Sequence, residues 1–119
     1  MVRFKVINPD FSVINSPPII QNLVELLIVF ANESKKVKVA DLIDYEDKNT
    51  LSVGLEATCQ NNPSNWIKLS NASISEINIV YKAPQDLKDG LCSVDLIVSD
   101  NNPKTPMSSK KTTKVIVKA

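Results

Sequence analysis

Histidine is absent from the 119 residues, which removes the commonest general base and the commonest transition-metal ligand at once. The chain also lacks a Gly-rich phosphate loop and a G-x-S-x-G nucleophile elbow. A pair of carboxylates could still hydrolyse a glycoside, but only in a shaped cleft that a small domain seldom supplies, so no enzyme is expected. Glycine is scarce, with two residues; the left-handed turn positions it normally fills must fall largely to Asn and Asp, which tolerate that region best among the others. Charge of one sign is missing too. Lys and Arg number 14 against 13 Asp and Glu, for a formal charge of +1. With no basic stripe along the chain, nucleic acid is not an expected partner. Long apolar runs are likewise missing. The most apolar one, Leu23 to Ala31, is broken by Glu25 and is less than half the roughly 20 residues a membrane-crossing helix needs. It predicts a buried strand and no membrane span. The opening "MVRFKVINPD" alternates apolar and polar residues, unlike the continuous apolar core of a secretion signal.

What the chain does contain is strand signal: short alternating runs punctuated by Pro, Asn, Asp and Ser. Val2, Phe4 and Val6 alternate with Arg3 and Lys5, and Val37 and Val39 with Lys36 and Lys38. Leu51, Val53, Leu55, Ala57 and Cys59 share one side of a strand whose other side carries Ser52, Glu56 and Thr58. Ile77, Ile79 and Tyr81 form a further inward set, followed by Cys92, Val94, Leu96 and Val98, then by Thr113, Val115 and Val117. No helical period is sustained, although "VADLIDYED" and "APQDLKDG" could each hold one helical turn. About seven strands at short spacing, in a chain of one-domain length, predict an all-β, antiparallel two-sheet sandwich. "SDNNPKTPMSS", residues 99 to 109, is then a loop between the last two strands, with Pro103 and Pro106 opposing edge pairing. Residues 1–14 stand apart from 15–119: they form either an extra first strand or the last strand of a preceding domain.

Four stretches in order, "NSPPI" (Asn15 to Ile19), "VADLIDYEDKNTLSV" (Val39 to Val53), "NWIKL" (Asn65 to Leu69) and "APQDLKDGLCSVDLIVSD" (Ala83 to Asp100), resemble the cadherin-like, dystroglycan-type immunoglobulin-like domains. The resemblance covers roughly Asn15 to Ala119. It implies an extracellular, seven-stranded Greek-key sandwich of immunoglobulin-like or cadherin-like type that occurs in tandem arrays on surface proteins. The function it implies is that of a spacer or adhesive module whose partners are proteins, neighbouring copies or tandem domains. Two departures stand out: "DYEDKNTL" has no Gly at the acidic turn, and the ligand set of calcium-binding cadherins is incomplete.

Calcium is the one cofactor for which ligands can be named. Asp41, Asp44, Glu46 and Asp47 crowd seven positions, and Ca²⁺ takes about six to eight oxygen ligands; Asp100, Asn101 or Asn102 could complete the set. The D-x-D-x-D-G spacing of a calcium loop is absent, however, and Asp residues here equally cap turns and end strands. Given the implied fold, Cys59 and Cys92 lie on neighbouring antiparallel strands at the same end of the domain, where a disulfide can form. The alternative is two buried thiols in a reducing compartment, which would make the chain an intracellular scaffold. Asn32 and Asn71 open N-x-S sequons. The resemblance makes Trp66 a core aromatic; its alternative is a sugar-stacking platform. That alternative, with the acidic segment 41–47 as a second place for a site, gives a different function: a carbohydrate-binding or accessory domain of a surface protein.

Overall fold

A computed structural model describes residues 17–43, 51–72, 75–101 and 106–119, with the backbone alone at Asn71 and Ala72. They form strands β1 (Ile19–Gln21), β2 (Leu26–Phe30), β3 (Ser34–Ile43), β4 (Ser52–Cys59), β5 (Ile67–Ala72), β6 (Glu76–Lys82), β7 (Gly90–Ser99) and β8 (Ser108–Lys118). Two four-stranded sheets result, ordered β1-β3-β6-β5 and β2-β8-β7-β4. Residues 1–14 lie outside the described residues, as do 44–47 of the helical turn considered over "VADLIDYED" (39–47), whose residues 39–43 are instead the end of β3; 83–90 holds a turn at Gln85 and Asp86 and no helix.

The period-2 pattern sets which side chains meet. Val39, Ile77, Ile79 and Tyr81 project from the first sheet and Cys92, Val94, Leu96 and Val98 from the second, all at 4 % exposure or less. Val115 and Val117 complete the inner layer. Removing each such aliphatic side chain from water contributes about 1.5–3 kcal/mol, which is why the inward sets read from the sequence are the inward sets of the fold. Left-handed backbone is supplied by Asn22, Asn32, Asn61 and Asn101, and by no glycine, among the described residues. Gly90 is needed for closeness instead: a Cβ there would lie 2.8 Å from the Gln60 carbonyl oxygen.

Two expectations need correction. The Leu23–Ala31 run is not a buried strand. Its strand, β2, lies on an open edge of the second sheet; Val29 is buried, while Leu26, Ile28 and Phe30 are 52 %, 51 % and 55 % exposed. A run apolar at every position predicts burial on both faces, but here one phase of the alternation faces outward. The sandwich is also not wholly antiparallel, because β2 pairs parallel with β8, Leu26 opposite Lys114 and Phe30 opposite Lys118. No hairpin joins these two strands, so no tight turn forces them to reverse. Strands β1 and β5, too short or too polar to show a clear alternation, add to the expected number.

Candidate functional site

Cys59 and Cys92 are registered partners on β4 and β7 and form a disulfide, with Cα atoms 4.0 Å apart. The next pair, Gln60 and Leu91, is hydrogen-bonded from Gln60 N–H to the Leu91 carbonyl at 3.0 Å. The cysteines therefore occupy the closer, non-hydrogen-bonded type of antiparallel pair. The bridge lies within one sheet and ties the edge strand β4 to its neighbour.

The residues named for calcium are differently engaged. Asp41, on β3, accepts hydrogen bonds from the Asn22 amide at 2.8 Å and from Lys38 Nζ at 3.1 Å. These two partners, Asn22 first, hold its carboxyl below the usual carboxylate range, and the same contact raises Lys38. Asp100 is wholly buried and closes the loop before β8: its Oδ1 accepts from Met107 N–H at 3.0 Å, and its own N–H donates to the Met107 carbonyl at 3.0 Å. Asn101, left-handed at φ 52°, donates from Nδ2 to Ser52 Oγ at 3.1 Å. Among the described residues no three His, Cys, Asp or Glu side chains converge as metal ligands. Asp44, Glu46, Asp47 and Asn102 lie outside them. Of the two sequon asparagines, Asn32 is exposed in the β2–β3 turn, and Asn71 lies on β5.

Trp66 is 6 % exposed. Its indole N–H donates to the Pro63 carbonyl at 2.7 Å, and its ring meets Tyr81 edge-on, with centroids 6.4 Å apart and planes at 86°. Burial, then the neighbouring Glu33 carboxylate, pushes the Tyr81 phenol up. Held this way, the indole cannot offer a whole face to a sugar ring. It forms the inner wall of a shallow depression of about 370 Å³ on the outer side of the first sheet, lined also by Asn65, Lys68, Val80, Lys82 and Pro84. The sheet places these groups: Lys68 and Val80 are registered partners on β5 and β6, and Lys82 N–H donates to the Trp66 carbonyl at 3.1 Å. An apolar floor with one amide and two ammonium groups at its rim suits a polar, hydroxyl-bearing ligand, with apolar contact below and hydrogen-bond donors around it. Sequence reasoning singled out Trp66 but not its companions: Lys68, Val80 and Lys82 carry only the signal of lying on the outward phase of their strands, and Asn65 and Pro84 lie just outside β5 and β6.

A second, more polar groove of about 520 Å³ runs between β1 and β8, lined by Gln21, Asn22, Glu25, Lys111 and Thr112 among others. It brings a carboxylate and an ammonium group together and has little apolar floor.

No family model and no curated protein matches the chain. Among solved structures, it is similar to a nucleoside hydrolase-related hypothetical protein from Saccharophagus degradans associated with carbohydrate metabolism. The TM-score is 0.64 at 17 % identity, over 94 % of this chain and 28 % of that one. An endo-fucoidan hydrolase of glycoside hydrolase family 107 aligns at TM-score 0.48 and 12 % identity, over 85 % of this chain and 13 % of the other. This chain thus spans less than a third of the length of either protein. At these identities the first likeness establishes a shared β-sandwich fold and nothing further.

Proposed function

We propose that this chain is a non-catalytic carbohydrate-binding or accessory module of a larger, extracellular protein. The observation that carries the reading is the depression over Trp66, where Val80 and Pro84 supply an apolar floor and Asn65, Lys68 and Lys82 supply donors. Its setting in a larger protein is supported by a fold match confined to 28 % of a protein associated with carbohydrate metabolism. The extracellular setting is supported by the Cys59–Cys92 bridge, because disulfides persist in oxidising compartments. Within the sandwich class, the strand order supports an immunoglobulin-like, cadherin-like Greek key, with β1 and β2 as two halves of a first strand divided between the sheets. Affinity electrophoresis against neutral and acidic polysaccharides, with the fluorescence of the single Trp followed in solution, tests the function. Retardation by at least one polymer, weakened by Val80→Asn, is the expected result. No retardation by any of them would sink the reading.

A second reading, a spacer or adhesive module, is supported by the half-exposed row Leu26, Ile28 and Phe30 on the open edge of β2, the kind of edge to which another chain can add. Sedimentation at rising protein concentration tests it, and a strict monomer throughout would count against self-adhesion.

A further inference from the structure

Besides Lys68 and Lys82, the outward face of the first sheet carries Lys36. Val80, on β6, is the registered partner of Lys68 on β5 and of Lys36 on β3, so the three side chains stand in one row on one face. With strands about 4.8 Å apart, the two lysine backbones are about 10 Å apart, and Lys82 lies about 7 Å further along β6. The result is a triangle of lysine positions around the apolar Val80, with Trp66 and Pro84 at one margin.

The two ends of this face are charged differently. At one end Lys38 is compensated by Asp41 at 3.1 Å and Glu76 at 4.0 Å. At the other, Lys36, Lys68 and Lys82 form no ion pair among the described residues. Glu33, next to the start of β3, is engaged elsewhere: its carboxylate accepts from Phe30 N–H at 3.1 Å and interacts with the Tyr81 phenol. Asp86, beyond Pro84, pairs with none of the three. Exposed like charges gathered without counter-ions disfavour the folded surface unless an anion meets them.

Resting on the carbohydrate reading above, we propose that the ligand is an anionic polysaccharide, one bearing carboxylate or sulfate groups along its chain. The three lysines are exposed and rooted on three neighbouring strands, an arrangement that suits charges repeated along a polymer laid across β3, β6 and β5 better than a single small anion. Val80, Pro84 and the margin of Trp66 take the apolar face of a sugar ring between those charges. Lysines act as hydrated point charges without the fork geometry of Arg, so the site reads charge spacing more than the identity of the anionic group. At these exposed positions the attraction is screened over about 8 Å at physiological salt, and binding weakens as salt rises.

The test is affinity electrophoresis of the intact chain and of a Lys36→Ala, Lys68→Ala, Lys82→Ala triple variant. The polymers are polygalacturonate, dextran sulfate, a panel of neutral glucans and double-stranded DNA. All three positions are exposed, so the variant keeps the core; a Lys114→Ala, Lys118→Ala variant of the opposite sheet is the control. Expected are retardation by polygalacturonate, dextran sulfate or both, a preference over neutral glucans, and an affinity loss of about tenfold in the triple variant only. The stronger of the two acidic polymers tells whether carboxylate or sulfate is the better ligand. Binding of neutral glucans with equal affinity, unchanged in the triple variant, would overturn the anionic assignment and leave the carbohydrate function standing. Equal binding of DNA would reduce the site to general polyanion attraction and overturn the proposal. Binding of no polymer would overturn this assignment and the proposed function together.

Discussion

Reducing the Cys59–Cys92 bridge isolates one contribution to stability, because the thiols keep their places on the inner face while the cross-link is lost. The bridged residues are 33 apart in sequence. With loop-closure entropy of about −2.1 − 1.5R ln n cal/mol/K, a loop of this size corresponds to about 3.7 kcal/mol at 25 °C. That is a large share of the 5–15 kcal/mol that typically holds a domain together. Urea unfolding of the oxidised protein, and of the same protein in a phosphine reductant with the thiols then alkylated for confirmation, measures the difference directly. Two signatures are expected together: a stability loss of about 3–4 kcal/mol, and a steeper denaturant dependence after reduction, because the unlinked unfolded chain exposes more surface. A Cys59→Ala, Cys92→Ala variant should lose somewhat more, since Cys92 is fully buried and its sulfur also packs. A loss below about 1 kcal/mol on reduction would refute the chain-entropy reasoning. It would mean that β4 is held by its ladder with β7 alone, or that the reduced unfolded chain stays compact.

Gly90→Ala should cost about 1–3 kcal/mol in urea unfolding, because the added Cβ would press within 2.8 Å of the Gln60 carbonyl, a backbone atom that cannot swing away. Gly54→Ala, whose nearest contact would be 4.0 Å away, serves as the tolerated control. Thr113 is 1 % exposed, and its Oγ1 has no hydrogen-bond partner among the described residues, so Thr113→Val should stabilise by about 1 kcal/mol; a loss on thermal unfolding would show that the hydroxyl is satisfied. Asp95 accepts from Thr112 Oγ1 at 2.6 Å and pairs with Lys110 at 3.5 Å, and chiefly the Thr112 contact holds its carboxyl below the ordinary Asp value of about 3.9. The unfolded chain therefore takes up the proton first as pH falls. Stability from this group is present above about pH 4 and is lost as pH drops through the lowered folded value. Asp95→Asn should flatten the acid limb of a stability–pH profile; an unchanged limb would show that the pair contributes nothing.

How much could be read in advance follows from where the information resides. Alternation within one strand is a local property, so the inward phases of 51–59, 77–81, 92–98 and 113–117 were legible, as was the inward position of both cysteines. The reliance on Asn for left-handed turns followed from composition. Trp66 was legible as a residue but not as a wall, because its neighbours Lys68, Val80 and Lys82 come from two strands. The short β1 and the polar β5 carry too few alternating positions to rise above loop signal, and the apolar run at β2 hid an edge strand because apolarity at every position does not say which face will be covered.

The sequence by itself determined an all-β chain, the face each long strand turns inward and the means of turning corners, since backbone sterics and side-chain polarity act within a few residues. Only the tertiary structure decided which strands became neighbours. That choice joined Cys59 to Cys92 and gathered the dispersed lysines 36, 68 and 82 of a nearly neutral chain on one face, where they form no ion pair among the described residues. The physical reason is that sheet order is set by the burial of all the inner faces at once, and the outward residues follow wherever that burial places their strands.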